Sequence, residues 1–210
     1  MKLLLFSDLH TNTTAARRLV ERSRDEGVDV LVAAGDFASV RRDIRACLDI
    51  LRTSPVPAVL VAGNNETIDE SRDACRGWDR AHVLHGTGAT LGGQAFFGLG
   101  GGVPVTPFGA WSFDLTEDEA RTRLAPCPAG AVLVSHSPPK GVLDRTSRGA
   151  SVGSVAVREA IERTSPRLVV CGHIHDSAGR AERLGATVVV NAGPEGILWT
   201  LEPAGGVTPP

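Results

Sequence analysis

Five apolar runs in this chain each stop at a short polar cluster, and that repetition constrains the fold more than any other feature of the sequence. Leu3 to Ser7 runs into Asp8-Leu9-His10, Val28 to Ala34 into Gly35-Asp36, and Ala58 to Ala62 into Gly63-Asn64-Asn65-Glu66. Later, Ala131 to Ser135 ends in His136, and Leu168 to Cys171 ends in Gly172-His173-Ile174-His175. Short, near-continuous apolar runs read as strands buried on both faces. Between them, helical spacing appears over Ala15 to Glu26, Val40 to Leu51, Ile68 to Trp78 and Ser151 to Thr164. Alternating strands and helices predict an α/β fold with parallel pairing and right-handed crossovers. In such sheets ligands bind at the C-terminal ends of the strands, where the polar clusters fall.

The middle of the chain is less regular. Ala95 to Leu99 predicts a strand, and Thr116 opens a short helix to Leu124 with a capping box to Glu119. The Gly- and Pro-rich stretch Gly100 to Phe113 lacks the G-x-x-x-x-G-K-[ST] pattern of a phosphate loop and reads as a turn or an active-site rim. Ala186 to Val190 and Ile197 to Leu201 add two strands, divided by Asn191-Ala192-Gly193-Pro194.

With 210 residues, 42% of them hydrophobic, the chain is long enough for one well-buried core, so a single domain over residues 1–202 with a frayed tail at 203–210 is expected. A formal charge of only -2 argues against an extended nucleic-acid surface or attraction to an anionic membrane. Any phosphate recognition must therefore be local, in a site. The N-terminal apolar run is far shorter than the ~18 residues of a membrane span. Cys47, Cys75, Cys127 and Cys171 show no C-x-x-C pairing, which predicts reduced thiols and a cytoplasmic protein.

The histidines carry most of the chemical signal. His10, His136, His173 and His175 lie beyond apolar strands, whereas His82 and His85 precede a turn and read as structural or surface residues. In an extended backbone, residues i and i+2 project to one side, so Asp8 with His10, and His173 with His175, are each expected to reach one ion. Asp36, after Gly35, suits a carboxylate shared by two ions, and Asn64 offers a neutral oxygen. These donors exceed the three protein ligands of a single-zinc hydrolase or deaminase.

In order and spacing, Asp8-Leu9-His10, Gly35-Asp36, Gly63-Asn64-x-Glu66, His136 and Gly172-His173-Ile174-His175 resemble the five signature blocks of calcineurin-like metallophosphoesterases. Gly98 to Glu119 and Val190 to Pro194 are further similar to a prokaryotic branch of cytoplasmic phosphoesterases. The resemblance implies a four-layer α-β-β-α sandwich of two mixed β-sheets flanked by helices. It also implies one divalent metal ion among Asp8, His10, Asp36 and His175, and a second among Asp36, Asn64, His136 and His173. Asp36 would bridge the two ions, and Asn64, Asn65 and His136 would contact substrate. The mixed N/O donor set suits Mn first, with Fe, Zn or Ni next, over Mg or Ca. The implied reaction is hydrolysis of a phosphodiester or an activated small phosphate by a hydroxide held on the two metals. The partner is then a small phosphorylated substrate, and a homo-oligomer is compatible with it. The competing reading is a binding or scaffold protein on the same fold, against which the seven filled ligand positions argue.

One position departs from the family pattern. The third block ordinarily carries His where this chain has Asn65, and an amide can donate a hydrogen bond but cannot transfer a proton at neutral pH. Asn65 is read first as a neutral phosphate anchor. A substitute acid from elsewhere, with Lys140 the most accessible cation although a solvated surface Lys is its plainer reading, or a lost activity are the other two readings. Glu66 is expected to orient a metal ligand rather than to bind metal.

Overall fold

The computed structural model describes residues 1–202, so the tail expected at 203–210 lies outside the described residues. The first half contains β1 (Lys2–Phe6), α1 (Thr13–Asp25), β2 (Val30–Ala33), α2 (Ile44–Leu51), β3 (Ala58–Leu60), α3 (Ile68–Ala74) and β4 (Ala81–Val83). Then follow β5 (Thr87–Leu91), β6 (Gln94–Leu99), α4 (Glu117–Leu124), β7 (Val132–Ser135), α5 (Val155–Thr164) and β8 (Leu168–Cys171). The chain closes with β9 (Arg180–Leu184), β10 (Thr187–Asn191) and β11 (Ile197–Thr200).

Two mixed sheets result. The first has the order β11-β1-β2-β3-β4, parallel except for β11, and the second the order β5-β6-β7-β8-β10-β9, antiparallel only at its two edges. Period-2 alternation within each strand shows how they pack. In β1, Leu3 and Leu5 join Val132, Val134 and Val170 of the second sheet in one core, while Leu4 and Phe6 face Leu19, Leu48 and Leu51 of α1 and α2. On the far side, Leu133 and Val169 pack against Leu124, Val157 and Ile161 of α4 and α5. Four layers with three apolar seams explain why these strands are apolar at successive positions. Each fully buried leucine contributes roughly 2 kcal/mol.

Helix starts follow their caps. Asn12, Thr67, Thr116 and Ser154 each accept a backbone N–H from the first turn of α1, α3, α4 and α5, and the expected box between Thr116 and Glu119 is present. The helix expected from Val40 begins only at Ile44. Residues 39–43 instead form a turn in which Val40, Arg41 and Asp43 have positive φ, because Val40 N–H donates to Asn65 Oδ1 and Arg41 N–H to Asn65 O. The edge strands β4, β5 and β9 do not register as apolar runs: none of their residues is fully buried. No helix among the described residues is long and apolar enough to cross a membrane.

Candidate metal centre

The polar clusters of the first sheet (after β1, β2 and β3) and of the second (after β7 and β8) meet at one edge of the sandwich. Asp8, Asp36, Asn64 and His136 are buried there, with His10 and His175 more exposed. The extended-strand argument for the Asp-x-His and His-x-His pairs does not hold. Asp8, His10, Asp36 and His173 all have positive φ, from 44 to 66°, and His175 opens a short 3-10 turn. The chain thus turns sharply past each strand end, and the pairs converge through the turn rather than along a strand. Left-handed backbone at four non-glycine residues of one site is strain that the surrounding packing has to hold.

Glycines make the approach tight. A Cβ at Gly63 would collide with Asp36 Oδ1, and one at Gly172 would lie 2.6 Å from Asp8 Oδ2. Only a residue without a side chain lets these backbones pass so close to the two carboxylates.

Ring nitrogens and oxygens face each other across the cluster. His10 Nε2 lies 3.1 Å from His175 Nε2 and 3.5 Å from Asp36 Oδ2, while His175 Nε2 is 3.7 Å from Asp8 Oδ1. On the other side His136 Nε2 is 3.6 Å from Asp36 Oδ1 and 3.2 Å from Asn64 Oδ1, which also lies 3.0 Å from His173 Nδ1. The opposite nitrogen of His136 donates to Ala34 O at 2.7 Å, which leaves Nε2 with its lone pair turned inward. Donor atoms of Asp8, His10 and His175, and again of Asp8, Asp36 and His136, lie within 4.8 Å of one another.

Several lone pairs facing one another over 3 to 4 Å fit a bound cation. The charge balance agrees. Asp8, Asp36 and Glu66 are buried, and among the described residues no Lys or Arg pairs with any of them. Burial, then repulsion from Asp8, pushes Asp36 up to about 7, and burial, then Asp36, does the same to Glu66. Burial also works against Asp8, but the His175 hydrogen bond, His136 and Ser7 outweigh it and hold Asp8 at about 2. The hydrogen bond to Asp8 in turn raises His175. Carboxylates that strain to protonate in the metal-free protein are relieved by divalent charge.

The neighbouring residues hold these side chains in place. Glu66 is fully buried and accepts N–H groups from Asp36 (2.8 Å), Gly63 (2.6 Å) and Ala38 (2.9 Å), pinning the turns after β2 and β3 together. Asn65 lies against Asp36: its backbone N–H donates to Oδ1 and its amide to Oδ2, both at 2.8 Å, while its own Oδ1 accepts Val40 N–H at 2.8 Å. Its backbone N–H and one amide N–H are thus directed at Asp36 and its oxygen at the Val40 turn, while the side chain also lines the cavity beside Asp36 and Asn64. Asn191 is a site residue that the sequence reading misses. It is fully buried and donates to Gly172 O (3.1 Å) and Ile174 O (3.0 Å), bracing the turn that carries His173 and His175. Its place at the polar end of an apolar run is the available signal. His85, by contrast, accepts Gly100 N–H through Nδ1 away from the cluster, and Lys140 Nζ donates to Ser151 O.

Solved structures repeat this architecture. The protein TT1561 of Thermus thermophilus matches with TM-score 0.75 at 22% identity over 92% of this chain and 90% of its own. A dimetal phosphatase from Danio rerio matches with TM-score 0.62 at 13% identity over 92% and 87%. A novel archaeal phosphodiesterase matches with TM-score 0.53 at 16% identity over 92% and 84%. No curated protein is similar in sequence. The profile of the calcineurin-like phosphoesterase superfamily domain matches residues 1–207, and the chain belongs to that superfamily.

Proposed function

We propose that this protein is a phosphoesterase dependent on two divalent metal ions, Mn first and Fe, Zn or Ni next, acting in the cytoplasm on small phosphodiesters or activated phosphates. The observation that carries the reading is the placement of Asp36, whose two carboxylate oxygens face opposite histidines, Oδ2 toward His10 and Oδ1 toward His136. Such a placement supports the two donor sets implied by the family pattern, Asp8, His10 and His175 with one ion and Asn64, His136 and His173 with the other, with Asp8 close to both His175 and His136. When bound, two divalent ions would supply Lewis-acid polarisation of a phosphoryl oxygen and a water of lowered pKa at neutral pH. The chain's own residues do the positioning. Ser7 and the N–H of His173 fix Asp8, Ala34 O fixes the tautomer of His136, Glu66 fixes the turns and Asn65 fixes Asp36.

With Asn65 committed to Asp36, no imidazole stands at that position to protonate a leaving oxygen. Esters with good leaving groups are therefore the better substrates, since general acid help is worth ~10² to 10⁴ in rate only where the leaving group needs it. Mn²⁺-loaded protein should hydrolyse bis(4-nitrophenyl) phosphate, and Asp36→Asn should remove that turnover. Absence of hydrolysis with Mn²⁺, Fe²⁺, Zn²⁺ and Ni²⁺ alike would overturn the assignment.

A further inference from the structure

The metal-ligating side chains form only the floor of a much larger cavity. It has a volume of about 700 Å³, which lies in the range of pockets that enclose a whole small molecule rather than a lone phosphate. His10, Asp36, Asn64, His173 and His175 line it, together with an apolar group of Pro104, Val105, Pro107, Phe108 and Trp111 and a polar stretch that includes Lys140, Ser147 and Asp176. The rings of Phe108 and Trp111 are stacked, with centroids 5.7 Å apart and planes 18° from parallel, yet Phe108 is 50% exposed and Val105 59%. Large side chains left open beside a polar site are surface waiting to be covered.

The wall is fixed relative to the floor. Asn64 Nδ2 donates to Ser112 Oγ at 3.1 Å, and Phe113 N–H donates to Asn64 O at 2.9 Å. Ser112 Oγ donates in turn to Asp114 Oδ1, while Asp114 Oδ2 accepts both the N–H and the hydroxyl of Thr106. The loop that carries the two rings is thereby closed on itself between Thr106 and Asp114 and hydrogen-bonded at its Ser112–Phe113 end to Asn64, whose Oδ1 faces the cluster. Such pre-organisation makes a binding surface selective, because little order is lost when the ligand arrives.

We infer that the organic half of the phosphoester carries a flat, largely apolar ring system, seated on the Phe108–Trp111 pair while the phosphoryl group occupies the cluster end. The inference rests on the phosphoesterase reading and adds the substrate class to it. A flat ring gains dispersion and quadrupole contacts on an aromatic face that an alkyl group does not. A simple aryl ester and a nucleoside ester share this chemistry.

Non-hydrolysable phosphonates test it by binding alone. Calorimetry on Mn²⁺-loaded protein should show phenylphosphonate at least about tenfold tighter than methylphosphonate, and tighter than cyclohexylphosphonate. In Trp111→Ala and Phe108→Ala/Trp111→Ala the phenyl-to-methyl ratio should fall to within about twofold; both side chains are on the loop surface, and an unchanged thermal midpoint confirms the fold. An adenosine 5′-phosphonate tighter than phenylphosphonate supports the inference with a nucleoside as the ring source, and the reverse order supports it with a simple aryl group. Equal affinity for all three simple phosphonates, or cyclohexyl tighter than phenyl, overturns the inference while leaving the phosphoesterase reading intact. A wild-type dimer that the double substitution turns into a monomer also overturns it, because the rings then belong to a contact between copies. Failure of every phosphonate to bind removes the phosphate site itself, and the inference with it.

Discussion

Replacing Asn191 with Asp changes one NH₂ to an oxygen at a fully buried position and tests how the His173–His175 turn is held. Two hydrogen bonds, to Gly172 O at 3.1 Å and Ile174 O at 3.0 Å, are lost at about 1 kcal/mol each. The new oxygen then faces two carbonyl oxygens, and the other side-chain oxygen already lacks a donor, so an ionised carboxylate has nothing to stabilise it. The buried Asp will therefore take up a proton and keep it, its folded pKa standing above its unfolded value of about 3.9. The sign follows: the folded variant binds more protons than the unfolded chain, so its stability falls as pH rises, by about 1.4 kcal/mol per pH unit until the folded pKa is passed. A protonated hydroxyl restores one of the two bonds. The variant should thus lose roughly 1 to 2 kcal/mol near pH 4 and, with the proton kept across the four units to pH 8, on the order of 7 kcal/mol there. Asn191→Leu removes both donors without introducing charge and should lose about 2 kcal/mol at both pH values. Urea unfolding of the metal-free proteins at pH 4 and 8 measures all of this. If Asn191→Asp lies within about 0.5 kcal/mol of wild type at pH 8, or if the two variants show the same pH dependence, the bracing role assigned to Asn191 is wrong.

Other residues give further expectations. Gly63→Ala drives a Cβ into Asp36 Oδ1, so it should cost about 2 kcal/mol of stability and displace the Asp36 carboxylate, read as loss of Mn²⁺ binding in calorimetry. Glu66→Gln places an NH₂ among three backbone donors and should weaken Mn²⁺ affinity about 10- to 100-fold with the metal stoichiometry unchanged, also by calorimetry. His85 is held down to about 4 by burial, then by Arg123 and Arg72, and its Nδ1 accepts Gly100 N–H. The folded state therefore binds fewer protons than the unfolded chain between about pH 4 and 6.5. Its contribution, on the order of 2 kcal/mol, is present above about pH 6.5 and lost as pH falls toward 4. Denaturant titrations across that range should show the slope in wild type and a shallower one in His85→Gln.

The strands that make the site are legible because they are buried on both faces: Leu3 to Phe6 has neither a polar face nor a gap, and Asp8 follows closely. That same signal is absent from β5 and β9, whose exposed edge positions carry Thr, Arg and Glu. Spacing identifies Asp8 with His10 and His173 with His175 as neighbours, but extended geometry is the wrong reason for it. An extended backbone cannot be told from a left-handed turn by spacing alone, and the turns arise from long-range bonds such as Asp8 N–H to Gly35 O and His10 N–H to Asp36 O. The same limit applies to Asn65. Its identity shows that no proton donor stands there, whereas its attachment to Asp36 depends on where Val40 lies, 25 residues away in sequence. The aromatic wall is invisible in the sequence for a related reason: Phe108 and Trp111 lie in a stretch without periodicity, and where that loop goes depends on distant partners such as Asn64 as well as on Asp114.

Metal stoichiometry tests the proposed two-ion site around Asp36 most directly. Metal-free protein titrated with Mn²⁺ and analysed for bound metal after desalting should retain two ions per chain, with Asp36→Asn retaining fewer. One ion or none in the wild-type protein, under conditions where it is folded, would contradict the account.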